Sequence, residues 1–103
     1  MMAPYKYTAL GFGSTAFGTA SAATLPLPAG VAESQVKLAI IHVGVGAINY
    51  RDDGTAPIVN TAGTGGYPVA VGSDIQFDGL VGSFQAIPQT ASGSATLSIL
   101  YYG

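Results

Sequence analysis

The stretch that decides the fold is residues 36–57, which read VKLAIIHVGVGAINYRDDGTAP. Its first part, 36–43, is a dense run of β-branched and apolar residues, which is typical of a buried strand. A glycine-containing corner at 44–47 follows, and then a second short apolar run at 48–51. Two such runs joined by a short glycine loop predict a β-hairpin, because glycine adopts the positive φ angles that hairpin loops need. The chain is therefore expected to be built from strands.

The composition indicates a single domain that works in contact with other protein. The 103 residues are 49% hydrophobic and only 8% charged, whereas about 25% charge is usual. A soluble domain that stays apart from its neighbours generally carries more surface charge. We therefore expect an oligomer or a larger assembly, in which protein covers much of the surface.

Charge and cysteine usage argue against several kinds of partner. The three cations, Lys6, Lys37 and Arg51, are scattered, so no basic stripe for nucleic acid is formed. Without cysteine the chain has neither disulfides nor thiolate metal sites. The N-terminus lacks the pattern of a signal peptide, and the longest apolar stretch, 38–48, is too short to span a bilayer. We expect neither nucleic acid nor membrane as a partner.

The N-terminal third differs in composition from the rest. Residues 5–10 are rich in Tyr and Thr and predict a strand, whereas 11–30 are rich in Gly, Ala, Thr and Pro. A short strand near 20–25 or an extended arm would both fit this second segment. The domain prediction is a strand and arm over 1–30 and a β-sandwich core over 31–103, in one structural domain. An arm that orders only on contact with a partner predicts that deletion of 1–27 leaves a folded domain.

Further short strands are predicted beyond the central stretch, over 67–71, 74–77, 84–87 and 95–101. In the last of these, alternate residues from Ala95 to Tyr101 are apolar and form one face. A single turn is expected within residues 31–35. Seven or eight short strands separated by turns predict an all-β fold, a β-sandwich or jelly-roll-like single domain of antiparallel strands with an extended N-terminal segment.

Two features resemble catalytic or cofactor motifs without their context. Residues 11–16 match the dinucleotide pattern G-x-G-x-x-A, but that loop must open a helix and no helical pattern follows. His42 is the only histidine and lies among isoleucines, which predicts a buried or interface side chain with a satisfied ring. Zinc needs more His or Cys ligands than the chain offers. A hydrolase built on His42 is the enzymatic alternative.

The acidic residues are best explained as turn residues. Asp52 and Asp53 precede Gly54 without the spacing of a calcium loop, and Asp74 and Asp78 flank one short strand. The sequence therefore predicts no catalytic residue, no cofactor and no metal, and we expect the protein not to be an enzyme. The six tyrosines are expected to pack in strands or to anchor an interface, with a carbohydrate platform as the alternative.

Residues 28–103 resemble small virion structural proteins of tailed phages, of the capsid decoration (cement) type. The resemblance rests on the order of short motifs along the chain. These motifs are Pro28-Ala29-Gly30, Leu38-Ala39-Ile40-Ile41, the Gly44 to Ala47 turn, Tyr50-Arg51, Asp53-Gly54-Thr55-Ala56-Pro57, Gly72, Phe84-Gln85-Ala86-Ile87 and the strand from Leu97 to Tyr102. The residues after Pro57, over 58–66, are longer and richer in glycine than in that pattern, and 1–27 lie outside it.

The resemblance implies a β-sandwich that binds between major capsid protein subunits on the virion surface and stabilises the head, with self-association as a homotrimer. It implies no catalytic residues. The alternatives are a tail or head–tail accessory protein, and a carbohydrate- or receptor-binding module of a tail fibre. The residues expected at the interface are Phe12, Phe17, Leu25, Leu27, Tyr50, Arg51 and Tyr67.

Overall fold

The computed structural model describes residues 7–91 and 93–103, and it is all-β. Residues 1–6, which include Tyr5, Lys6 and the start of the strand predicted over 5–10, lie outside the described residues. The strands are β1 (Ala9–Phe17), β2 (Ala23–Thr24), β3 (Leu38–Val45), β4 (Ile48–Arg51), β5 (Tyr67–Val69), β6 (Asp74–Phe77), β7 (Gln85–Pro88) and β8 (Ala95–Tyr102).

The strands form two four-stranded antiparallel sheets, which confirms the predicted β-sandwich. The first sheet has the order β1-β8-β3-β6 and the second has the order β2-β7-β4-β5. Consecutive strands thus change sheet at every connection except the one between β4 and β5, and the two sheet orders together are those of a jelly roll. Short 3₁₀ turns lie at Glu33–Gln35 and Val81–Ser83. In the described part of the chain, no helix is long and apolar enough to cross a membrane.

The hairpin predicted within 36–57 is wrong, although both of its strands exist. β3 pairs with β6 and β8 in the first sheet, whereas β4 pairs with β5 and β7 in the second. Both edges of β3 are thus occupied, so the corner carries the chain across the sandwich. Gly46 makes this crossing with φ +73°, and a Cβ there would lie 2.0 Å from the Ser94 carbonyl oxygen. The glycine pattern predicted a turn correctly, but not which strands it would bring together.

Of the two alternatives for residues 11–30, the extended arm is wrong, because this segment belongs to the sandwich, and the short strand expected near 20–25 is present as β2 (Ala23–Thr24). β1 pairs with β8 along its length, and β2 pairs with β7. The chain then runs beneath β1, where the Tyr101 hydroxyl donates a hydrogen bond to the Pro26 carbonyl. A Cβ on Gly13 would lie 2.8 Å from that carbonyl oxygen and 3.2 Å from the Tyr101 ring. Glycine is therefore needed in β1 for close packing rather than for flexibility.

The core lies between the two sheets and follows the predicted alternation. In β8, Ala95, Leu97, Ile99 and Tyr101 are almost completely buried, as expected from their spacing. Their face packs with the inner residues of the other strands in one cluster. A second, smaller cluster lies on the outer face of the first sheet and consists of Leu38, Ile40 and Tyr102.

The Tyr101 hydroxyl links the core to the segment beneath β1, and removal of this hydroxyl is expected to lower the free energy of unfolding measurably. Tyr101→Phe leaves the Pro26 carbonyl without its donor, so we expect the free energy of unfolding to fall by about 1–2 kcal/mol at pH 7. Burial raises the pKa of Tyr101 to about 12, whereas an exposed phenol titrates at about 10. The neutral phenol therefore stabilises the fold below pH about 10, and this contribution is lost as the pH rises towards about 12.

Denaturant unfolding at several pH values between neutral and alkaline would check this prediction. The intact chain should lose stability through the alkaline window, and Tyr101→Phe should lose distinctly less. Burial also raises the pKa of Tyr50, so a smaller alkaline loss should persist in the variant. Equal alkaline slopes for the intact chain and Tyr101→Phe would contradict the assignment.

Candidate interaction surface

The seven residues expected at the interface do not form one surface. Tyr50, Arg51 and Tyr67 lie together at one edge of the second sheet, and we call these three residues the tyrosine surface. Phe12 is 58% exposed on the first sheet, and Phe17 is half-buried against the core.

The two leucines of the predicted interface have different environments. Leu25 is only 7% exposed and belongs to the core, so its prediction as an interface residue is wrong. A side chain that is already buried in its own fold has no area left to offer a partner. Leu27, two residues later, is 38% exposed. The prolines around both residues gave no sign of which one points inward.

An aromatic row connects the tyrosine surface to the core. Tyr50 and Tyr67 lie directly opposite each other on β4 and β5, with ring centroids 5.5 Å apart. The Tyr50 ring stacks on Phe84 at 4.8 Å, and Phe84 contacts the edge of Phe77 at 5.5 Å. Phe84 is fully buried, whereas Tyr67 is 66% exposed. The exposed tyrosine is therefore held by a row of rings that is fixed at its buried end.

Two shallow hollows flank Tyr67. One, of about 320 Å³, is lined by Tyr50, Tyr67 and the chain from Arg51 to Asp53. The other, of about 340 Å³, lies between the edge strands β5 and β6 and includes Pro68, Asp74 and Ile75. Both volumes are at the small end of the range for ligand sites, about 300–1,000 Å³. Exposed aromatic area beside such hollows is suited to receiving a side chain of a partner protein or a sugar ring.

The polar rim of the tyrosine surface is held in a fixed geometry. The Arg51 guanidinium makes two hydrogen bonds to Asp53, Nε to Oδ1 at 3.1 Å and one terminal nitrogen to Oδ2 at 2.5 Å. Asp53 Oδ1 also accepts the Thr55 backbone N–H, as predicted for an aspartate in a turn. The hydrogen bonds from Arg51 and Thr55 hold the pKa of Asp53 below its usual range.

Tyr50 remains a neutral phenol over a wide pH range. Its pKa is raised first by burial, then by the nearby Asp52 carboxylate and by Tyr67. With Arg51 and Asp53 paired, Asp52 leaves the rim with one net negative charge. The surface is therefore mainly aromatic and carries little net charge, and among its polar groups the Arg51 guanidinium and the Asp53 carboxylate are paired with each other.

The enzymatic alternative depends on His42, for which a buried or interface position was expected. The side chain is exposed, so the buried option is wrong and the interface option stays a prediction. Its Nδ1 atom lies 2.6 Å from Oδ1 of Asp74, and Ser98 lies opposite it on β8. The order Ser98, His42, Asp74 across three strands resembles a hydrolytic triad, in which the hydroxyl must bond to the second ring nitrogen. Within residues 7–91 and 93–103, the bond to Asp74 is the only side-chain hydrogen bond of His42. The arrangement found is an exposed His–Asp pair.

The part of the chain described here contains no group of three or more His, Cys, Asp or Glu side chains arranged to hold a metal ion. Asp74 and Asp78 do not face each other as an acid–base pair, because Asp74 is bonded to His42 and Asp78 follows the end of β6. Asp78 instead lines a separate shallow hollow with Tyr7 and Leu80.

Asn49 organises the loop beside the tyrosine surface and is not among the residues predicted for the site. Asn49 is fully buried in β4, and its Nδ2 donates to the carbonyls of Ile58 and Asn60, both at 2.9 Å. Gly65 closes the loop, since its carbonyl accepts from Ile58 and its N–H donates to Asn60 Oδ1. Its position between two apolar strand residues, Ile48 and Tyr50, could have identified Asn49 from the sequence, because a buried amide needs hydrogen-bond partners in fixed positions.

Comparison of the chain with protein-family models, with curated proteins and with solved structures gave no match.

Proposed function

We propose that this protein is a non-enzymatic structural component of a phage virion, of the capsid decoration type, which binds between major capsid protein subunits. The resemblance over residues 28–103 suggests this role, and the jelly-roll order of the strands is compatible with it. The observation that carries the proposal is the character of the exposed surface. Nine large apolar side chains are exposed among the described residues, whereas the whole chain has only eight charged residues, three basic and five acidic.

Because large apolar side chains are exposed and few residues are charged, burial of this surface against another protein is favoured. Apolar area removed from water contributes about 25 cal/mol per Å² before the costs of association are subtracted. A neutral surface gives little long-range electrostatic steering, so affinity would come from close packing. The tyrosine surface supplies the anchor, because Tyr67 is rigidly supported by the aromatic row and has area free to bury. Tyrosine is enriched among residues that dominate binding energy at interfaces.

The first test is the location and copy number of the protein in purified particles of the virus that encodes it. Quantitative mass spectrometry should find it in the capsid, in numbers comparable with the major capsid protein. A copy number that matches the tail or neck components would instead indicate a tail or head–tail accessory protein. Its absence from particles would contradict a virion function.

Tyr67→Ala is expected to weaken binding to particles that lack the protein by about tenfold or more, because it removes an exposed anchor. The melting temperature should change little, since the side chain is 66% exposed. Val71→Ala is the matched control, because Val71 is 53% exposed but does not line either hollow at Tyr67. Co-sedimentation with particles measures both. Equal binding by the two variants would contradict a role for the tyrosine surface.

A second candidate function, saccharide binding on a tail fibre, is favoured by one observation. The exposed Tyr67 ring lies between two hollows, and Arg51, Asp52 and Asp53 supply polar groups at one of them. A glycan array with the isolated protein separates the two functions. Binding that is lost in Tyr67→Ala would favour the saccharide, and particle binding without any glycan signal would favour the capsid.

A further inference from the structure

The four sheet edges of this sandwich are protected unequally. An exposed strand edge invites pairing with another chain, and proteins block it with short strands, prolines or charges. β2 has two residues, β5 has three and contains Pro68, and β6 has four and carries Asp74. β1 is nine residues long and contains neither proline nor charge. It is therefore the edge without the protection found on the other three.

The register shows which backbone groups of β1 face the open side. The Tyr102 carbonyl accepts the Lys37 N–H on the side of β3, while Thr8 and Gly103 exchange both of their hydrogen bonds on the side of β1. Backbone groups alternate between the two neighbours of a central strand, so Tyr101, Ile99 and Leu97 face β1. Their partners in β1 are Gly11, Gly13 and Thr15. The residues between these, Phe12, Ser14 and Ala16, therefore direct their N–H and C=O groups outward.

The regular part of β1, residues 11–17, is complementary to itself in the antiparallel direction. When two copies meet with Ser14 opposite Ser14, Phe12 lies opposite Ala16 and Phe17 lies opposite Gly11 of the second copy. Each large ring thus faces a small residue across the strand pair, on the outer face and on the inner face. This register also places the outward-facing backbone groups in hydrogen-bonded pairs. A one-residue shift would place the outward-facing backbone groups of one copy opposite inward-facing groups of the other, so these hydrogen bonds would not form.

We propose that β1 pairs with β1 of a second copy about a two-fold axis at Ser14, joining the two first sheets into one continuous sheet of eight strands. The edge carries no charge, so the two copies approach without repulsion. On the outer face, Phe12 is 58% exposed, and Leu100, its neighbour on β8, is 45% exposed. Phe12 would become partly covered by the second copy, which adds apolar burial to the backbone hydrogen bonds.

This contact gives a dimer rather than the trimer implied by the resemblance. The inference goes beyond the proposed function, because contact between two copies does not depend on the capsid. Sedimentation of the intact chain should show a species of twice 10.3 kDa. A monomer at concentrations well above a micromolar Kd, or a trimer, would overturn the two-fold contact and leave particle binding to be judged by its own test.

Cross-linking tests the axis directly, because the chain contains no cysteine. Hydrogen-bonded antiparallel pairs have Cα and Cβ atoms about 5.5 Å apart, which is wide for a disulfide but within reach of a short bifunctional thiol reagent. We expect Ser14→Cys to form a covalent dimer when treated with such a reagent. Ser98→Cys is the matched control, since Ser98 shares the outer face but is separated from its copy by both β1 strands. Equal cross-linking of the two variants, or none in either, would overturn the proposal.

A backbone variant tests the hydrogen bonds. Ser14→Pro removes an N–H that faces the open edge and spares the ladder to β8, so we expect a folded monomer, whereas Ser14→Ala should remain a dimer. A folded Ser14→Pro dimer would overturn the proposal. If Ser14→Pro fails to fold, hydrogen exchange of the intact chain decides. Protection of the Phe12, Ser14 and Ala16 amides that falls on dilution supports the contact, and rapid exchange at all concentrations refutes it.

Discussion

Deletion of residues 1–27 is expected to abolish folding of the remaining chain. The deletion removes β1 and β2, one strand from each sheet, and takes Leu25 out of the core. It also leaves β8 unpaired on the side where β1 lies, and it removes the Pro26 carbonyl that accepts a hydrogen bond from the Tyr101 hydroxyl. A domain of this size has a total stability of about 5–15 kcal/mol, which cannot absorb the loss of two strands. This reverses the expectation from the sequence that 31–103 form a self-sufficient core.

Circular dichroism and denaturant unfolding of the truncated chain would check this. A cooperative transition with the intact chain's spectrum would show that the N-terminal segment is separable after all. Point variants give a graded version of the test. Leu25→Ala should cost about 2–5 kcal/mol, because Leu25 is buried. Leu27→Ala, in the same segment but 38% exposed, should change stability by about 0.5 kcal/mol or less.

Asn49→Asp is expected to destabilise the fold by about 3–5 kcal/mol at pH 7, because it places an unpaired negative charge in a buried site. The amide donates to two carbonyls, whereas an ionised carboxylate only accepts hydrogen bonds and would be repelled by both. In a domain of this size each kcal/mol lowers the melting temperature by about 4–8 °C. Thermal unfolding therefore provides a sensitive measurement.

The pH dependence of Asn49→Asp has a defined sign. Burial beside two carbonyls would hold the pKa of the introduced carboxyl above its usual range, so the folded state favours the protonated form. The protonated acid donates to one carbonyl, and part of the lost stability should return as the pH falls. Asn60→Asp is the matched control, because a carboxylate still accepts the Gly65 N–H, and the Thr64 hydroxyl, which accepts from the Asn60 amide, can instead donate to a carboxylate. Equal destabilisation of the two variants would contradict the role assigned to Asn49.

The site was only partly predictable, and the reason is visible in particular residues. Tyr50 and Tyr67 are aromatic residues on strands predicted from local pattern, so their candidacy could be read from the sequence. Their contact could not, because it depends on β4 pairing with β5 across a loop. Leu25 and Leu27 stand in nearly identical local sequence, yet one lies in the core and the other is exposed. Asn49 became significant only once the loop that covers it was placed.

From residue 36 onward, the sequence by itself determined where the strands lie and, in β8, which face is buried. The runs at 48–51 and 74–77 are strands with those bounds, and the alternation in β8 identified the buried face, because burial on a pleated strand repeats every two residues. The tertiary structure alone decided which strands are neighbours. β3 and β4 lie in different sheets, and β1 lies in a sheet rather than an arm. Pairing depends on which strand edges remain free in the folded chain, and that information is not local.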